Sequence, residues 1–199
     1  ERVIRKAFEL ARRRNGAPGD GKKRVTCIAK DNVLHGCRFF VEIFHEIGHE
    51  YPDIEKDTAI VDAFTQWLIQ KPEWYDVCVA TNMFGDILSD EAAELSGGLG
   101  LGGSINTSND HAVAQAAHGS APDIAGKNLA NPIAHILSAQ MLLNWHAERD
   151  GNSQLATAAK HLDATIDDVL ADSSNHTVDI GGGKGTLELG EILVKAIER

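Results

Sequence analysis

The stretch that decides the fold is Tyr75-Asp-Val-Cys-Val-Ala-Thr-Asn-Met-Phe-Gly-Asp-Ile-Leu-Ser-Asp-Glu-Ala-Ala-Glu-Leu95. Its first part, Tyr75 to Ala80, is short and apolar, which predicts a buried strand. Its last part, Asp86 to Leu95, has apolar residues at helical spacing, which predicts a helix. A strand that leads directly into a helix is the repeating unit of α/β sheets, and polar residues at the end of such a strand commonly carry the chemistry.

The same alternation of strand and helix continues on both sides of this stretch. Arg24 to Ala29 is a second short, β-prone run. The glycine-rich stretch Gly97–Gly103 is the clearest boundary between domains, and a long loop follows from Thr107 to Lys127. The sequence therefore predicts an α/β fold with a boundary near residue 98. Amphipathic patterns predict further helices at 2–14, Phe39–Gly48, Ile60–Ile69, Pro132–Ala147, Gln154–Leu170 and Leu187–Ile197.

Composition excludes several classes of protein. The net charge of -10, from 19 basic and 29 acidic residues, argues against a nucleic-acid or anionic membrane partner. No stretch approaches the roughly 20 apolar residues of a membrane span. Cys27, Cys37 and Cys78 form no CxxC pair, which favours a reducing compartment, either the cytoplasm or the mitochondrial matrix of a eukaryote. The chain opens without Met in a helical pattern, so we expect a fragment or a processed product.

Two aspartates mark a candidate metal site. Asp86 and Asp90 stand four residues apart, which places both carboxylates on one face of the predicted helix. Mg²⁺ and Mn²⁺ prefer such oxygen ligands, and Mg²⁺ usually keeps positions open for water and substrate. The alternative is structural, with Asp86 capping the helix and Asp90 a solvated acid of its first turn.

A loop of small and turn-forming residues is the candidate nucleotide site. His118-Gly-Ser-Ala-Pro-Asp123 leads into Ile124-Ala-Gly-Lys-Asn-Leu-Ala-Asn-Pro132, and such a loop lets backbone N–H groups approach a nucleotide closely. The carboxylate of Asp123 can accept hydrogen bonds from ribose hydroxyls and would repel a 2′-phosphate, which favours NAD over NADP. The alternative is a plain surface loop before a helix that starts at Asn131-Pro132.

Two further patterns compete for a catalytic role. Lys30 and Asn32 follow the strand Arg24–Ala29, where a partly desolvated lysine can transfer a proton, although a solvated lysine is the alternative. His45-Glu-Ile-Gly-His49 matches the H-E-x-x-H pattern of zinc peptidases. The extended form of that pattern is absent, and Pro52 interrupts the helix soon after His49. The glycine-rich stretch 181–185 is interpreted as structural turns.

Together these motifs resemble the β-decarboxylating dehydrogenases, the family of isocitrate, 3-isopropylmalate, homoisocitrate and tartrate dehydrogenases. The resemblance extends over essentially the whole chain, with the motifs in family order. It implies the two-domain isocitrate/isopropylmalate dehydrogenase-like fold, which has no GxGxxG Rossmann unit, with the N-terminal part missing. The segments that carry it are Lys30–Leu34, Tyr51–Asp53, Val61–Ala63, Asn82–Asp90, His118–Lys127 and Asp179–Gly182.

The resemblance also implies a function and its residues. The activity would be NAD-dependent oxidative decarboxylation of a 3-substituted malate, with 3-isopropylmalate or isocitrate favoured, in a homodimer with a shared active site. Residues 1–97 would belong to the small dimerisation and substrate domain, and 98–199 to the large NAD-binding domain. The catalytic candidates are Lys30, which would reach across the dimer, and Asp62. Mg²⁺ or Mn²⁺ would be held by Asp86 and Asp90, with Asp62 supplied by the neighbouring subunit. The cofactor-binding candidates are Asn32, His118, Gly119, Ser120, Ala121, Asp123 and Asn131.

Two departures from the family pattern affect this expectation. Ala116-Ala117 stand before His118 where family members commonly carry an acid and then Pro or Val. The family's substrate-binding arginine cluster and a tyrosine that assists protonation are also missing, so we do not expect this chain alone to turn over. A non-catalytic regulatory subunit is the alternative, and the intact Lys30, Asp62, Asp86 and Asp90 speak against it. The resemblance places His49 at the end of a helix, outside any zinc site.

Overall fold

Helices and strands alternate along the first half of the chain in a computed structural model that describes residues 1–198. Backbone contacts divide the chain into two units, Glu1–Ala92 and Ala93–Arg199. The division falls shortly before the glycine-rich stretch that predicts a boundary near residue 98. The roles of the two units, in dimerisation and in NAD binding, remain predictions.

The first unit is built on a three-stranded parallel sheet. Its strands, in sheet order, are β2 (Glu55–Ile60), β1 (Arg24–Ala29) and β3 (Val77–Ala80), and Arg24 pairs with Glu55 and Ala29 with Ile60 across the β1–β2 ladder. Parallel strands need helical crossovers, which the intervening helices provide. The elements are α1 (Arg2–Arg13), β1 (Arg24–Ala29), α2 (His35–Gly48), β2 (Glu55–Ile60), α3 (Val61–Gln70), β3 (Val77–Ala80) and α4 (Asn82–Leu95).

Both faces of this sheet are covered, which explains why every residue of β1 is buried. On one face, Phe8 of α1 stacks against Phe44 of α2 and against Tyr51, with ring centroids 5.4 and 4.7 Å away. On the other face, Phe64 of α3 packs edge-on to Tyr75 at 4.8 Å. These aromatic contacts hold the helices against the two faces of the sheet.

A fully buried arginine holds the beginnings of the strands together. The Arg24 guanidinium donates to Glu55 at 2.8 Å and to Asp20 at 2.7 Å, and it lies 3.7 Å from the centre of the Trp74 ring. The bond from Arg24 also lowers the pKa of the Glu55 carboxyl. Because Arg24 and Glu55 are paired residues of β1 and β2, this ion pair supports the register of the two strands.

The second unit consists of an antiparallel hairpin and three packed helices. The strands are β4 (Gly103–Thr107) and β5 (Ala112–Ala116), and the helices are α5 (Ile133–Asp150), α6 (Ser153–Leu170) and α7 (Thr186–Ile197). Gly151 ends α5 in a left-handed conformation, and the Asn152 side chain caps the start of α6. The helices enclose a core formed by Ile133, Ile166, Val169, Leu189 and Leu193.

The structure corrects several predicted boundaries. Helix α4 begins at Asn82, so Asp86 lies in the second turn and cannot cap the helix. Residues 107–127, predicted as a loop, contain β5 and a short 3₁₀ turn. That strand was missed because three of its five residues are alanines, which have little β-propensity. Within residues 1–198, no helix is both long and apolar enough to cross a membrane.

Candidate functional site

A lysine and an aspartate meet at the carboxyl edge of the parallel sheet. Lys30 follows the last residue of β1, and Asp62 lies in the first turn of α3, directly after β2. The Lys30 Nζ donates to the Asp62 Oδ1 at 2.5 Å. This bond lowers the pKa of the Asp62 carboxyl. The structure thus brings together two of the residues that the sequence analysis selected, although they are far apart along the chain.

The strand register explains the meeting of these two side chains. Ala29 and Ile60 are paired across β1 and β2, so the residues that follow them are neighbours. The Lys30 side chain is 28% exposed and that of Asp62 is 67% exposed. An ammonium paired with an accessible carboxylate can pass a proton to a bound molecule, and the carboxylate can also offer oxygen to a cation.

Asn32 lies at the same edge, in the turn between β1 and α2. This turn is held by Arg38, which donates to the backbone carbonyls of Asp31 at 2.6 Å and Asn32 at 3.4 Å. A cavity of about 280 Å³ opens beside the turn, with Asp31, Asn32 and Thr58 as its polar lining residues. The Asn32 side chain is therefore exposed next to a concave surface near Lys30.

Asp86 and Asp90 are both exposed on α4, one helical turn apart. Their oxygens suit a hard divalent cation that keeps open positions for other ligands. Among residues 1–198, no three His, Cys, Asp or Glu side chains are grouped so that they could hold a metal ion, so Asp62 does not join this pair within one chain. The resemblance assigns Asp62 to the site of the neighbouring subunit, and that assignment stays a prediction.

The H-E-x-x-H segment has no third ligand in the described part of the chain. His45, Glu46 and His49 are exposed at the end of α2, whose last residue is Gly48. His49 therefore stands at the helix terminus, as the resemblance predicts. A catalytic zinc normally has three protein ligands, so this segment by itself does not form a zinc site.

The predicted nucleotide loop lies entirely in the second unit. His118, Gly119, Ser120, Ala121 and Asp123 are all exposed, and they precede or form a 3₁₀ turn at Pro122–Ile124. Ala121 adopts a left-handed conformation with φ of 42°. An alanine there is uncommon, and such strained residues cluster at ligand-binding sites. The loop keeps its small side chains exposed, so its backbone is accessible to a ligand.

Asn131, at the end of this loop, is by contrast buried. Its Oδ1 accepts a hydrogen bond from the Ile133 backbone N–H at 3.0 Å, and its Nδ2 donates to Asp179 at 3.0 Å. The structure therefore separates the exposed candidates 118–123 from Asn131, whose side chain is engaged within the protein.

Residues near the C-terminus hold the loop in place, which the sequence analysis missed. The Asn128 Oδ1 accepts from the Leu187 N–H at 2.9 Å, and the Asn128 carbonyl accepts from the Thr186 N–H at 3.1 Å. Asn128 itself is left-handed, with φ of 57°. The interpretation of residues 181–185 as structural turns does not predict these contacts of the residues beside them. The polar residues Asp179 and Thr186 beside this stretch could have indicated an anchoring role, but no sequence pattern pairs them with residues 128–131.

Polar residues at the carboxyl edge of a parallel α/β sheet define a class of proteins that bind small molecules there. Comparison with known proteins identifies the family within that class. The chain belongs to the isocitrate/isopropylmalate dehydrogenase family, whose model matches residues 1–193.

Relatives cover the full chain but extend beyond it. The chain is 42% identical to the 3-isopropylmalate/3-methylmalate dehydrogenase of Methanocaldococcus jannaschii, over 99% of this chain and 56% of that protein. It is 41% identical to an isocitrate dehydrogenase [NADP] of Rickettsia felis, over 99% of this chain and 39% of that protein. The crystal structure of isocitrate dehydrogenase from Methylococcus capsulatus matches with a TM-score of 0.86 and 40% identity, over 100% of this chain and 56% of that one. The chain thus spans about half the length of such relatives.

Proposed function

We propose that the full-length gene product is a dehydrogenase that oxidises and decarboxylates a 3-substituted malate, with NAD as the hydride acceptor and Mg²⁺ or Mn²⁺ as the metal. The observation that carries this proposal is the Lys30–Asp62 pair at the carboxyl edge of the sheet. Such a pair supplies the proton donor that decarboxylation requires, because loss of CO₂ leaves an enol that must be protonated. The relatives support the reaction class, since they include both a 3-isopropylmalate and an isocitrate dehydrogenase.

Asp86 and Asp90 would hold the metal, together with Asp62. A divalent ion in this site would polarise the hydroxyl and forming carbonyl of the substrate and stabilise the negative charge that develops there. Within this chain, the task of the two α4 carboxylates is to offer oxygens from one face of a helix while leaving other positions open. Lys30 would deliver the proton, and Asp62, whose pKa is lowered, would stay ionised at neutral pH.

We propose NAD rather than NADP on the basis of Asp123. Its exposed carboxylate stands in the 3₁₀ turn of the nucleotide loop. A carboxylate can accept hydrogen bonds from ribose hydroxyls and would repel the charge of a 2′-phosphate. The relatives do not decide this point, because one of them is named as NADP-dependent. His118, Gly119, Ser120 and Ala121 would contribute backbone and ring contacts, and Asn32 would lie near the nicotinamide and substrate.

The proposal is tested by measuring NADH and NADPH formation with isopropylmalate, isocitrate, homoisocitrate and tartrate. We expect activity with one of these substrates and NAD, and its loss in Lys30→Met. Lys160→Met, an exposed lysine of α6, is the matched control and should remain active. If NAD and Mn²⁺ bind but no substrate reacts, the protein is a regulatory subunit instead. If zinc binds and NAD does not, the dehydrogenase proposal fails.

We also propose that the protein is a homodimer whose active sites are shared. Two observations support this: the Lys30–Asp62 pair is open to solvent, and no group of three metal-binding side chains forms within residues 1–198. If each site combines Lys30 of one subunit with Asp86 of the other, Lys30→Met and Asp86→Asn homodimers are both inactive. A mixed dimer of the two variants then has one intact site, and mixing should restore activity. If both residues act within one subunit, mixing restores nothing.

A further inference from the structure

The predicted nucleotide loop depends on a contact that lies outside the loop itself. We propose that Asp179 is a positioning residue for the adenosine half of the dinucleotide and that it acts through Asn131. This inference rests on the proposed function, because it assumes that residues 118–131 bind NAD. A carboxylate just before the glycine-rich stretch 181–185 would thus set the geometry of the nucleotide site.

The Asn131 amide is engaged at both ends. Its oxygen accepts from the Ile133 N–H at the start of α5, and its nitrogen donates to the Asp179 Oδ2, both at 3.0 Å. Only 8% of the residue is exposed. Because the amide would lose both bonds if it rotated by half a turn, Asp179 determines which way it faces. The backbone at 130–132, where the loop enters α5, is held by these two bonds and by the Thr186 hydroxyl, which donates to the Ala130 carbonyl.

A glycine packs against this pair from a third segment. Gly100 lies in the 3₁₀ turn Leu99–Leu101. A Cβ added at Gly100 would fall 2.8 Å from the Asn131 Cβ and would overlap the Asp179 Oδ2 more closely still. The site therefore has room only for hydrogen at this position, and the pair is enclosed by the Gly100 backbone on that side. A substitution here disturbs the pair sterically without removing a polar group.

The other anchor of the loop is independent of Asp179. Asn128 is bonded to Thr186 and Leu187 at the beginning of α7. Loss of the Asp179 carboxylate should therefore leave the loop attached at residues 128 and 130 and free only the amide nitrogen of Asn131. This predicts weaker binding of the nucleotide without unfolding of the second unit.

The test measures the dissociation constant of ADP-ribose, which carries the adenosine half of NAD, in the full-length protein. We expect Asp179→Ala to weaken binding by about tenfold, the effect of losing one charge-assisted hydrogen bond. The KM for NAD should rise with it, while kcat and the KM for the hydroxy acid change less than about twofold. Asp179→Asn keeps the shape and one acceptor, so it should recover much of the affinity.

A double-mutant cycle decides whether Asp179 acts through Asn131. If it does, Asp179→Ala adds little to the loss already caused by Asn131→Ala. Additive losses would overturn the inference, because they would mean that the two residues act separately. Gly100→Ala should reproduce the weaker binding of ADP-ribose, and Gly190→Ala, where an added Cβ meets open space, is the control.

The failures of the two proposals can be told apart. If the unsubstituted protein does not bind ADP-ribose, the proposed function fails, and the role of Asp179 fails with it. If the unsubstituted protein binds and Asp179→Ala binds equally well, only the role of Asp179 is refuted. An equal loss of affinity for the nucleotide and for the hydroxy acid, with a lower thermal midpoint, would mean a general structural role and would also refute it.

Discussion

Ser138 of α5 is a buried side chain that joins the hairpin of the second unit to its helices. Its hydroxyl oxygen accepts from the Ser104 N–H of β4 at 3.1 Å. The single hydroxyl hydrogen can be donated to the carbonyl of Gln115 in β5, at 2.8 Å, or to that of Ala134 within α5, at 2.7 Å. Ser138 is 1% exposed, so water cannot replace these bonds. The change Ser138→Ala removes all of them while adding no bulk.

The expected loss of stability follows from these contacts. The hydroxyl has one hydrogen, so it donates one bond at a time, and that bond contributes about 0.5–1.5 kcal/mol net. The Ser104 N–H would also lose its acceptor, and an unsatisfied buried donor costs about 1–3 kcal/mol. Alanine is the better helix former and returns about 0.5 kcal/mol. We therefore expect Ser138→Ala to lower the free energy of unfolding by about 2 kcal/mol.

Urea denaturation followed by circular dichroism measures this loss. Thr157→Ala is the control, since Thr157 is exposed on α6 and its hydroxyl donates to the Ser153 carbonyl, one turn earlier in the same helix. Its effect should stay within about 0.5 kcal/mol. Because β5 leads into His118, Ser138→Ala should also raise the KM for NAD. A loss of stability below about 0.5 kcal/mol, similar to that of the control, would refute the assignment of Ser138 as the link.

Three other predictions concern the first unit. The hydrogen bond from Arg12 lowers the pKa of the Asp53 carboxyl to about 2, so its carbon chemical shift should titrate near that pH and return to the ordinary range in Arg12→Gln. The contribution of this ion pair to the stability of the fold is complete above the ordinary pKa of about 3.9 and disappears as the pH falls toward 2. An unchanged titration in the variant would contradict this. Burial raises the pKa of Cys27 to about 12, so iodoacetamide at neutral pH should label it only after unfolding, and rapid labelling of the folded protein would be contrary evidence. Phe8→Ala should cost about 3–5 kcal/mol in urea denaturation because Phe8 is fully buried between two rings, and a cost below about 1 kcal/mol would argue against that packing.

The sequence predicts an element best when all of its residues are buried to a similar extent. Strand β1 was predicted with both of its boundaries because both faces are buried, so its residues form one continuous β-prone run. Strand β2 was missed because it begins Glu55-Lys-Asp-Thr, and this polar run is stabilised by pairing with β1 and by Arg24. Helix α4 begins earlier than predicted, because Gly85 in its first turn is a poor helix former and outweighs the start signal that Thr81 provides.

The candidate site was predictable in part. Lys30 and Asp62 could each be selected from the sequence, but their contact depends on the parallel register of β1 and β2, which no local pattern encodes. The same holds for Asn131 and Asp179, which meet through the packing of the second unit. The resemblance to a family supplied roles for single residues. The structure shows which of these residues are in contact. The contact between Asn131 and Asp179 is the basis of the role proposed for Asp179.

The most direct test of the proposed activity is Mn²⁺-dependent NADH formation by the full-length protein with its best hydroxy-acid substrate. Asp86→Asn is compared with Glu42→Gln, which neutralises an exposed acid of α2 in the same unit. We predict that Asp86→Asn lowers activity at moderate Mn²⁺ by more than about a hundredfold, since even outer partners of metal ligands account for about 10–100-fold. Glu42→Gln should match the unsubstituted protein. Full NADH formation by Asp86→Asn, with an unchanged Mn²⁺ requirement, would contradict the proposed metal site.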